Sequence, residues 1–169
     1  RIPLIMKINK RKIGLGVILL LLMIQLLPTE RNNSQSKDTA IVKKFPVNAE
    51  VQAILEKACY DCHSNNTNYP WYASIQPVSA YLANHIKDGK RHLNFDDFLK
   101  YRPYKQFHKL EEIDEVMLSE EMPLWDYTLI HPKAKLQADE VHLLIEWSKQ
   151  MRDSMHVWYP QDSLERPKH

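Results

Sequence analysis

The sequence contains very little glycine and cysteine, and it has no strong excess of charge of either sign. Of its three glycines, Gly14 and Gly16 lie in one apolar run near the start of the chain. The chain therefore has neither a Walker A loop nor a GxGxxG dinucleotide fingerprint. Its two cysteines are too few for a disulfide-stabilised scaffold. The 169 residues, 44% of them hydrophobic, instead suit one globular domain with additional segments.

The basic residues are concentrated at the start of the chain. Residues 1–12 hold five of the 23 lysines and arginines and no acidic residue, which leaves 18 basic and 21 acidic side chains in the remainder. A surface that binds nucleic acid requires a cluster of basic side chains. The mildly acidic remainder therefore predicts that nucleic acid is not a partner.

An uncharged apolar run covers residues 13–27 and directly follows the basic cluster. A basic flank followed by such a run is typical of a signal peptide or a signal anchor. The run has 15 residues, fewer than the roughly 20 of a full membrane span, which by itself favours a cleaved signal. No small-x-small cleavage site follows, however. We therefore expect residues 1–28 to form an uncleaved membrane anchor, with the rest of the chain exported.

The chain beyond the anchor divides into three segments. Residues 29–46 are polar and begin without periodicity, which predicts a linker. Residues 154–169 contain two prolines and scattered charges without a clear stripe, which predicts a tail. Residues 47–153 are then the folded body, a length that can bury one core.

Four stretches of this body repeat apolar residues at helical spacing. The predicted helices run from Asn48 to Cys59, from Pro77 to a stop at Gly89, over 105–119 and over 138–152. Their predicted inward-facing residues are Val51, Ile54, Leu55 and Ala58, then Val78, Tyr81, Leu82, His85 and Ile86, then Leu110, Ile113, Val116 and Met117, then Val141, Leu144, Ile145, Ser148 and Met151. The acidic group Glu111–Glu115 is expected to face solvent. Since no stretch alternates convincingly over five residues, the predicted class is all-α.

Both cysteines lie in the motif Cys59-Tyr60-Asp61-Cys62-His63. This C-x-x-C-H pattern is the signature of c-type haem attachment. Two thiols three residues apart can reach the two vinyl groups on one edge of a porphyrin and form thioethers. The histidine that follows can bind the iron through one ring nitrogen. The motif predicts one covalent haem c with its iron.

The cysteines have three other interpretations. A redox dithiol lacks the βαβ context that normally surrounds such a pair. A zinc site lacks a second pair of Cys or His at ligand spacing. An inert pair is the third alternative. Covalent haem attachment takes place outside the cytoplasm, which agrees with the export signal.

The second axial ligand of the iron is less strongly specified by sequence. Met122 lies in a loop before Pro123, which restrains the following backbone, and it is the favoured ligand. The main rivals are His85, His92 and His131. Met117 and Met151 lie on helix stripes and are expected to pack in the core. The remaining candidates are Met155, His108, His142 and His156, and an open or water-bound iron is a further alternative.

Three stretches carry a resemblance to a known family. They are residues 53–95, residues 121–150 and the apolar run that ends in QLLPTERNN. Within them, CYDCHSN, YPWY, HLNF and LIHP occur in the expected order. The chain resembles the bacterial haem-binding-domain family, a cytochrome c-like group of small exported or membrane-anchored proteins.

The resemblance implies a cytochrome c-like helical domain with a c-type haem on Cys59 and Cys62. It implies that His63 is the proximal iron ligand and that Met122 matches the family's Met-Pro position. Family members often have a second proline there, where this chain has Leu124. In such folds the first helix of the domain packs across the last, here 49–60 across 138–152, which would place Leu55 and Trp147 at the crossing.

The expected function is single-electron transfer by a monohaem c-type cytochrome. We expect it to be tethered to a bacterial inner membrane with the haem domain in the periplasm, and to exchange electrons with redox proteins that the sequence does not identify. We do not expect an enzyme, because no distal acid-base pair of a peroxidase is recognisable. The alternative is a haem-based sensor or small-ligand-binding domain with an open or labile sixth site. Trp71, Tyr72 and Trp125 are expected to pack in the core or to line the haem pocket.

Overall fold

A computed structural model describes residues 9–167. These residues contain no β-strand, which confirms the all-α prediction for the described part of the chain. The α-helices are α1 (Lys10–Ile24), α2 (Ala49–Ala58), α3 (Tyr60–His63), α4 (Val78–His92), α5 (Pro103–Leu118), α6 (Trp125–Ile130) and α7 (Ala138–Trp158). Short 3₁₀ helices cover Ile41–Lys43, Trp71–Ser74, Phe95–Lys100, Pro132–Ala134 and Gln161–Ser163.

The chain forms two compact units. The first consists of the described part of residues 1–31 together with Tyr69–His85, and the second of Asn32–Asn68 together with the described part of residues 86–169. Helix α4 contributes residues to both units. The cysteine motif and Met122 belong to the second unit.

Helix α1 is the main element of the first unit. The Asn9 side chain caps it by accepting a hydrogen bond from the Arg11 N–H at 3.0 Å, and its apolar side chains are exposed. Part of the predicted basic flank, residues 1–8, lies outside the described residues. Within residues 9–167, no helix combines the length and the apolar character needed to cross a membrane.

The second unit is built around helices α2, α5 and α7. Their buried residues follow the helical spacing seen in the sequence, since Val51, Ile54 and Leu55 of α2 are all at most 5% exposed. The predicted inward positions of α5 and α7 are likewise buried or half-buried. The core of buried residues consists of Ile41, Phe45, Val51, Ile54, Leu55, Phe95, Phe98, Leu110, Ile113, Met117, Leu144, Trp147, Met151, Met155 and Leu164.

Helix α2 packs on α7, as the family resemblance implies for the first and last helices of the body. Leu55 and Trp147 are both buried in the shared core. The Trp147 indole N–H donates to the Pro46 carbonyl at 3.0 Å, just before α2 begins. The Lys57 ammonium pairs with the Glu140 carboxylate and adds a polar link between the same two helices.

Helices α5 and α7 form the most extensive helix pair of the second unit. Asp114 of α5 forms an ion pair with Arg152 of α7 and also accepts a hydrogen bond from the Ser148 hydroxyl. The side chain of Asp114 is only 16% exposed. The expectation that the whole group Glu111–Glu115 faces solvent is therefore wrong at Asp114, because the facing helix supplies a partner for its charge.

Helix α4 differs from its prediction in two respects. It continues past Gly89 to His92, because Gly89 does not adopt the positive φ of a glycine that ends a helix. Its predicted apolar stripe is also only partly buried. Ile86 is 4% exposed, whereas Val78 is 36% and Tyr81 is 51% exposed.

The segments on either side of the predicted body contribute to the core. Ile41 and Phe45, from the stretch predicted as a linker, are at most 1% exposed. Helix α7 extends six residues beyond its predicted end at 152. Met155 and Leu164, from the stretch predicted as a tail, are at most 6% exposed. Short apolar contributions of this kind escape a search for periodicity.

The pair between Lys57 and Glu140 makes part of the stability depend on pH. Hydrogen bonds from Lys57 and from the Gln137 N–H hold the pKa of the Glu140 carboxyl below its ordinary value of 4.5. Since the folded pKa is the lower one, the stabilisation is present above the unfolded value and is lost as the pH falls through the folded value. We expect Glu140→Gln to lower the free energy of unfolding by about 1 kcal/mol at neutral pH. The cost should be much smaller near pH ~3, measured by urea unfolding with circular dichroism.

The matched control is Glu115→Gln, which changes an exposed glutamate of α5 and should have little effect at either pH. An equal loss of stability for Glu140→Gln at neutral and acid pH would show that its charge does not matter.

Candidate functional site

The cysteine motif occupies a single turn that follows α2. Helix α2 ends at Ala58, and Cys59 departs from helical geometry with φ −123° and ψ −45°. The N–H groups of Cys62 and His63 then donate to the Cys59 carbonyl at 3.2 and 2.9 Å. This turn is anchored because the preceding helix buries its apolar side in the core. Both thiols and the imidazole are therefore presented by one short, fixed segment.

Both cysteines are free thiols and half-buried. Burial raises the pKa of Cys59 to about 12 and that of Cys62 to about 11, with the nearby carboxylates of Asp61 and Asp126 adding to the second shift. Thiols with such pKa values stay protonated at neutral pH, and the thiolate is the reactive form in disulfide exchange. This environment does not favour the redox-dithiol interpretation. Among residues 9–167, no three His, Cys, Asp or Glu side chains are arranged to hold a metal ion.

Backbone groups of Leu93 and Gly89 form hydrogen bonds with the imidazole of His63. Its Nδ1 lies 2.9 Å from the Leu93 carbonyl oxygen. Because a carbonyl only accepts hydrogen bonds, Nδ1 must carry the proton, and Nε2 of the neutral ring keeps its lone pair. Burial lowers the pKa of His63 and so favours the neutral ring. A neutral imidazole with Nε2 unprotonated is the form that binds a metal ion.

Leu93 is brought to His63 by the close approach of α4. The Leu93 N–H donates to the Gly89 carbonyl at 2.9 Å. A Cβ atom at Gly89 would lie 2.9 Å from the carbonyl oxygen of Cys62 and 3.2 Å from its Cβ. Only glycine allows this approach without displacement. The sequence marked Gly89 as a helix stop, although an isolated glycine within a helical pattern can also indicate close packing.

A closed cycle of hydrogen bonds joins the segments that follow His63 and Leu93. The Asn94 amide donates to Asn65 Oδ1 at 2.8 Å, the Asn65 N–H donates to Asp96 Oδ2 at 2.8 Å, and the Asp96 N–H donates to Asn94 Oδ1 at 3.1 Å. All three residues are at most 7% exposed. Sequence reasoning assigned no role to these residues, although Asn65 and Asn94 lie within the motifs CYDCHSN and HLNF.

Met122 lies in the loop that follows α5. Glu120 has φ 57°, and the Glu121 N–H donates to the Val116 carbonyl at 3.1 Å. A left-handed residue with this hydrogen bond is the Schellman ending of a helix, and it reverses the chain before Met122. Met122 is half-buried and packs against the same core as Cys59.

The helix that follows Met122 lies against the cysteine motif. The Tyr127 hydroxyl donates to Asp61 Oδ2 at 2.7 Å, and Asp61 Oδ1 accepts from the Asn68 N–H at 3.1 Å. Asp126 is near enough to Cys62 to raise the pKa of its thiol. Helix α6 is thereby fixed to the turn that carries Cys62 and His63, only a few residues after Met122.

The other candidate ligands have different surroundings. His131 stacks on the Tyr127 ring with centroids 4.5 Å apart. His92 is exposed at the end of α4. His85 belongs to the first unit, where its ring packs against Tyr81 in a tilted arrangement with centroids 4.2 Å apart. Met117, Met151 and Met155 are buried in the core, as predicted for the first two.

The residues present fit a covalently attached haem. The two free thiols of Cys59 and Cys62 lie on one turn, and the neutral imidazole of His63 keeps Nε2 available. The thioether sulfur of Met122 lies on a loop that leads into α6, and α6 contacts the same turn. These are the donor types of a c-type site with histidine and methionine ligands. Trp71 and Trp125 are 79% and 77% exposed, so neither packs in the core.

Comparison with known proteins gives a family match. A family model described as a haem-binding domain matches residues 19–150, well over half of the chain. Searches of curated proteins and of solved structures found no match.

The approach of α4 to the motif gives a specific test of Gly89. In an ordinary helix interior, Gly→Ala stabilises by roughly 0.5–1 kcal/mol. At Gly89 the new methyl group meets the Cys62 backbone, and we expect Gly89→Ala to destabilise by about 1–3 kcal/mol, measured by urea unfolding. Gly16→Ala is the control, because a Cβ there meets nothing within 4 Å. A Gly89→Ala chain as stable as the wild type would refute the close contact.

Proposed function

The chain belongs to the haem-binding domain family, and from that membership we propose that it is a monohaem c-type cytochrome-like protein that transfers single electrons. Cys59 and Cys62 would hold the group through thioether bonds. His63 Nε2 and the Met122 sulfur would bind the iron. When bound, the haem supplies an iron that accepts and releases one electron.

The observation that carries this proposal is the hydrogen bond between His63 Nδ1 and the Leu93 carbonyl at 2.9 Å. It selects the tautomer with a free Nε2 and fixes the plane of the ring. Metal-binding histidines are commonly oriented in this way through their second nitrogen. The close packing of Gly89 on the Cys62 backbone and the buried hydrogen-bond cycle of Asn65, Asn94 and Asp96 hold this hydrogen bond in place. The imidazole of His63 can therefore keep one position in both oxidation states of the iron.

Met122 suits an electron carrier for two reasons. A thioether sulfur is a neutral, soft ligand that favours ferrous iron, as does the partial burial of the site, so the reduction potential should be on the higher side for haem. The Schellman turn before Met122 and the contact of α6 with Asp61 restrain both sides of its loop. A restrained ligand limits the rearrangement that accompanies electron transfer.

The proposal places the protein on the outer side of a bacterial inner membrane, with the haem domain in the periplasm. The basic cluster followed by the apolar run of residues 13–27 supports an anchor at 1–28, and c-type attachment takes place outside the cytoplasm. The partners would be redox proteins that bind weakly and in a salt-dependent manner. The proposed role is that of a carrier, not of an enzyme.

The role of Met122 is tested by Met122→Leu in the full chain, produced together with the haem-maturation machinery. Leucine keeps the volume and removes the sulfur, so we expect loss of the weak far-red methionine–iron absorption band of the oxidised protein. We also expect a change towards high spin and a fall in reduction potential of the order of 100 mV. The control is Met117→Leu, which makes the same change at a core residue 6% exposed and should keep the wild-type spectrum.

Two results would contradict this assignment. A far-red band that survives in Met122→Leu would exclude Met122 as the ligand. A wild-type protein that is high-spin and binds carbon monoxide would favour the alternative function, a haem-based sensor or small-ligand-binding domain with an open sixth site.

A further inference from the structure

Large apolar side chains are exposed along residues 71–81 of the first unit. Trp71 is 79% exposed, Ile75 44%, Val78 36% and Tyr81 51%. The sequence predicted Val78 and Tyr81 to face a core, and this prediction is wrong. We refer to these four residues as the apolar patch. Four large apolar side chains exposed within residues 71–81 indicate a candidate interaction site.

The patch lies in a segment without formal charge. Tyr69–His85 contains no Lys, Arg, Asp or Glu, although 26% of the whole chain is charged. A protein partner that docks by charge complementarity would find nothing to pair with here. An apolar, uncharged segment that is rich in Trp and Tyr is typical of the boundary between lipid and water.

The same segment is hydrogen-bonded to the end of α1. The Gln76 N–H donates to the Gln25 side chain at 2.9 Å, and the Gln25 amide donates back to the Gln76 carbonyl at 3.2 Å. The Gln76 amide also donates to the Leu27 carbonyl at 3.2 Å and to the Thr29 hydroxyl at 2.7 Å. Gln76 is 8% exposed. The segment is therefore fixed at the point where the apolar run ends.

A second contact strengthens this attachment. The Arg31 guanidinium donates to the Ser74 hydroxyl at 2.8 Å and lies 4.4 Å from the centroid of the Tyr69 ring. Arginine beside an aromatic ring a few residues after an apolar run suits the headgroup level of a bilayer. Leu26 and Leu27, which follow α1, are 82% and 61% exposed, so exposed apolar side chains also lie beside these contacts in the chain.

We propose that the apolar patch inserts into the headgroup region of the membrane beside the end of α1. The occupant of this surface is the lipid bilayer. The inference rests on the anchoring role proposed for residues 1–28 and adds a second membrane contact within the same unit, which would fix how the first unit lies on the bilayer.

The test uses the full haem-loaded chain in vesicles of phosphatidylethanolamine and phosphatidylglycerol. The vesicles contain a phospholipid with a photoreactive diazirine close to its glycerol backbone. After illumination, mass spectrometry measures lipid crosslinks on peptides from α1, from 69–81 and from 121–130. The last peptide is the control, because Trp125 is 77% exposed but the peptide carries the carboxylates of Glu121 and Asp126, which oppose insertion into lipid. We expect crosslinks on α1 and on 69–81, and at least about tenfold fewer on 121–130.

A matched pair of variants tests whether Trp71 itself contacts the lipid. Trp71→Ser should reduce crosslinking of 69–81 by about tenfold, and Trp125→Ser should leave it unchanged. Crosslinks on α1 alone would overturn the proposal. A loss of haem absorbance in Trp71→Ser with unchanged crosslinking would also overturn it, since Trp71 would then line the haem pocket.

The proposed function can fail independently of this inference. An absence of crosslinks on α1 would refute the anchor and the patch together, while the absorption spectrum of the same sample would still report whether the haem is attached. Conversely, crosslinks on 69–81 in a chain without haem would support the patch and refute the cytochrome.

Discussion

The hydrogen bond between His63 Nδ1–H and the Leu93 carbonyl is the constraint on which the site depends. It decides which ring nitrogen is left to bind a metal ion, and it does so with a backbone group that cannot change its protonation state. A hydrogen bond of 2.9 Å to Leu93, the residue that follows α4, requires α4 to end beside the turn that carries the cysteines. That approach in turn requires Gly89, whose missing side chain leaves room for the Cys62 backbone.

The rest of the second unit holds the two sides of this bond in place. Helix α2 carries the cysteine turn and is packed on α7 through the shared core. The buried cycle of Asn65, Asn94 and Asp96 joins the residues that follow His63 to those that follow Leu93. Tyr127 and Asp61 join the same turn to the helix after Met122. Each member of the candidate site is thus supported by a separate contact.

The sequence predicted the helical class and most of the interior of α2, α5 and α7, because their apolar residues recur at helical spacing. It did not predict contacts that depend on distant segments. Gly89 was assigned as a stop because glycine often ends helices, and Asp114 was assigned to solvent because its partner Arg152 lies on another helix. Ile41, Phe45 and Leu164 are buried in the core, but the segments that contain them are too short to show the helical spacing of apolar residues. The motif of Cys59, Cys62 and His63 could be recognised because its residues are close together in the sequence. The Leu93 carbonyl that orients His63 could not, since it lies 30 residues away in the chain.

The central claim is that one haem is covalently attached to Cys59 and Cys62. The most direct measurement is the intact mass of the full chain purified with the maturation machinery, followed by mass spectrometry of the peptide that contains residues 59–63. The account predicts a chain heavier by one haem, with the added mass on that peptide and no thiol available to alkylation. A chain at its bare mass with both thiols alkylated would contradict it.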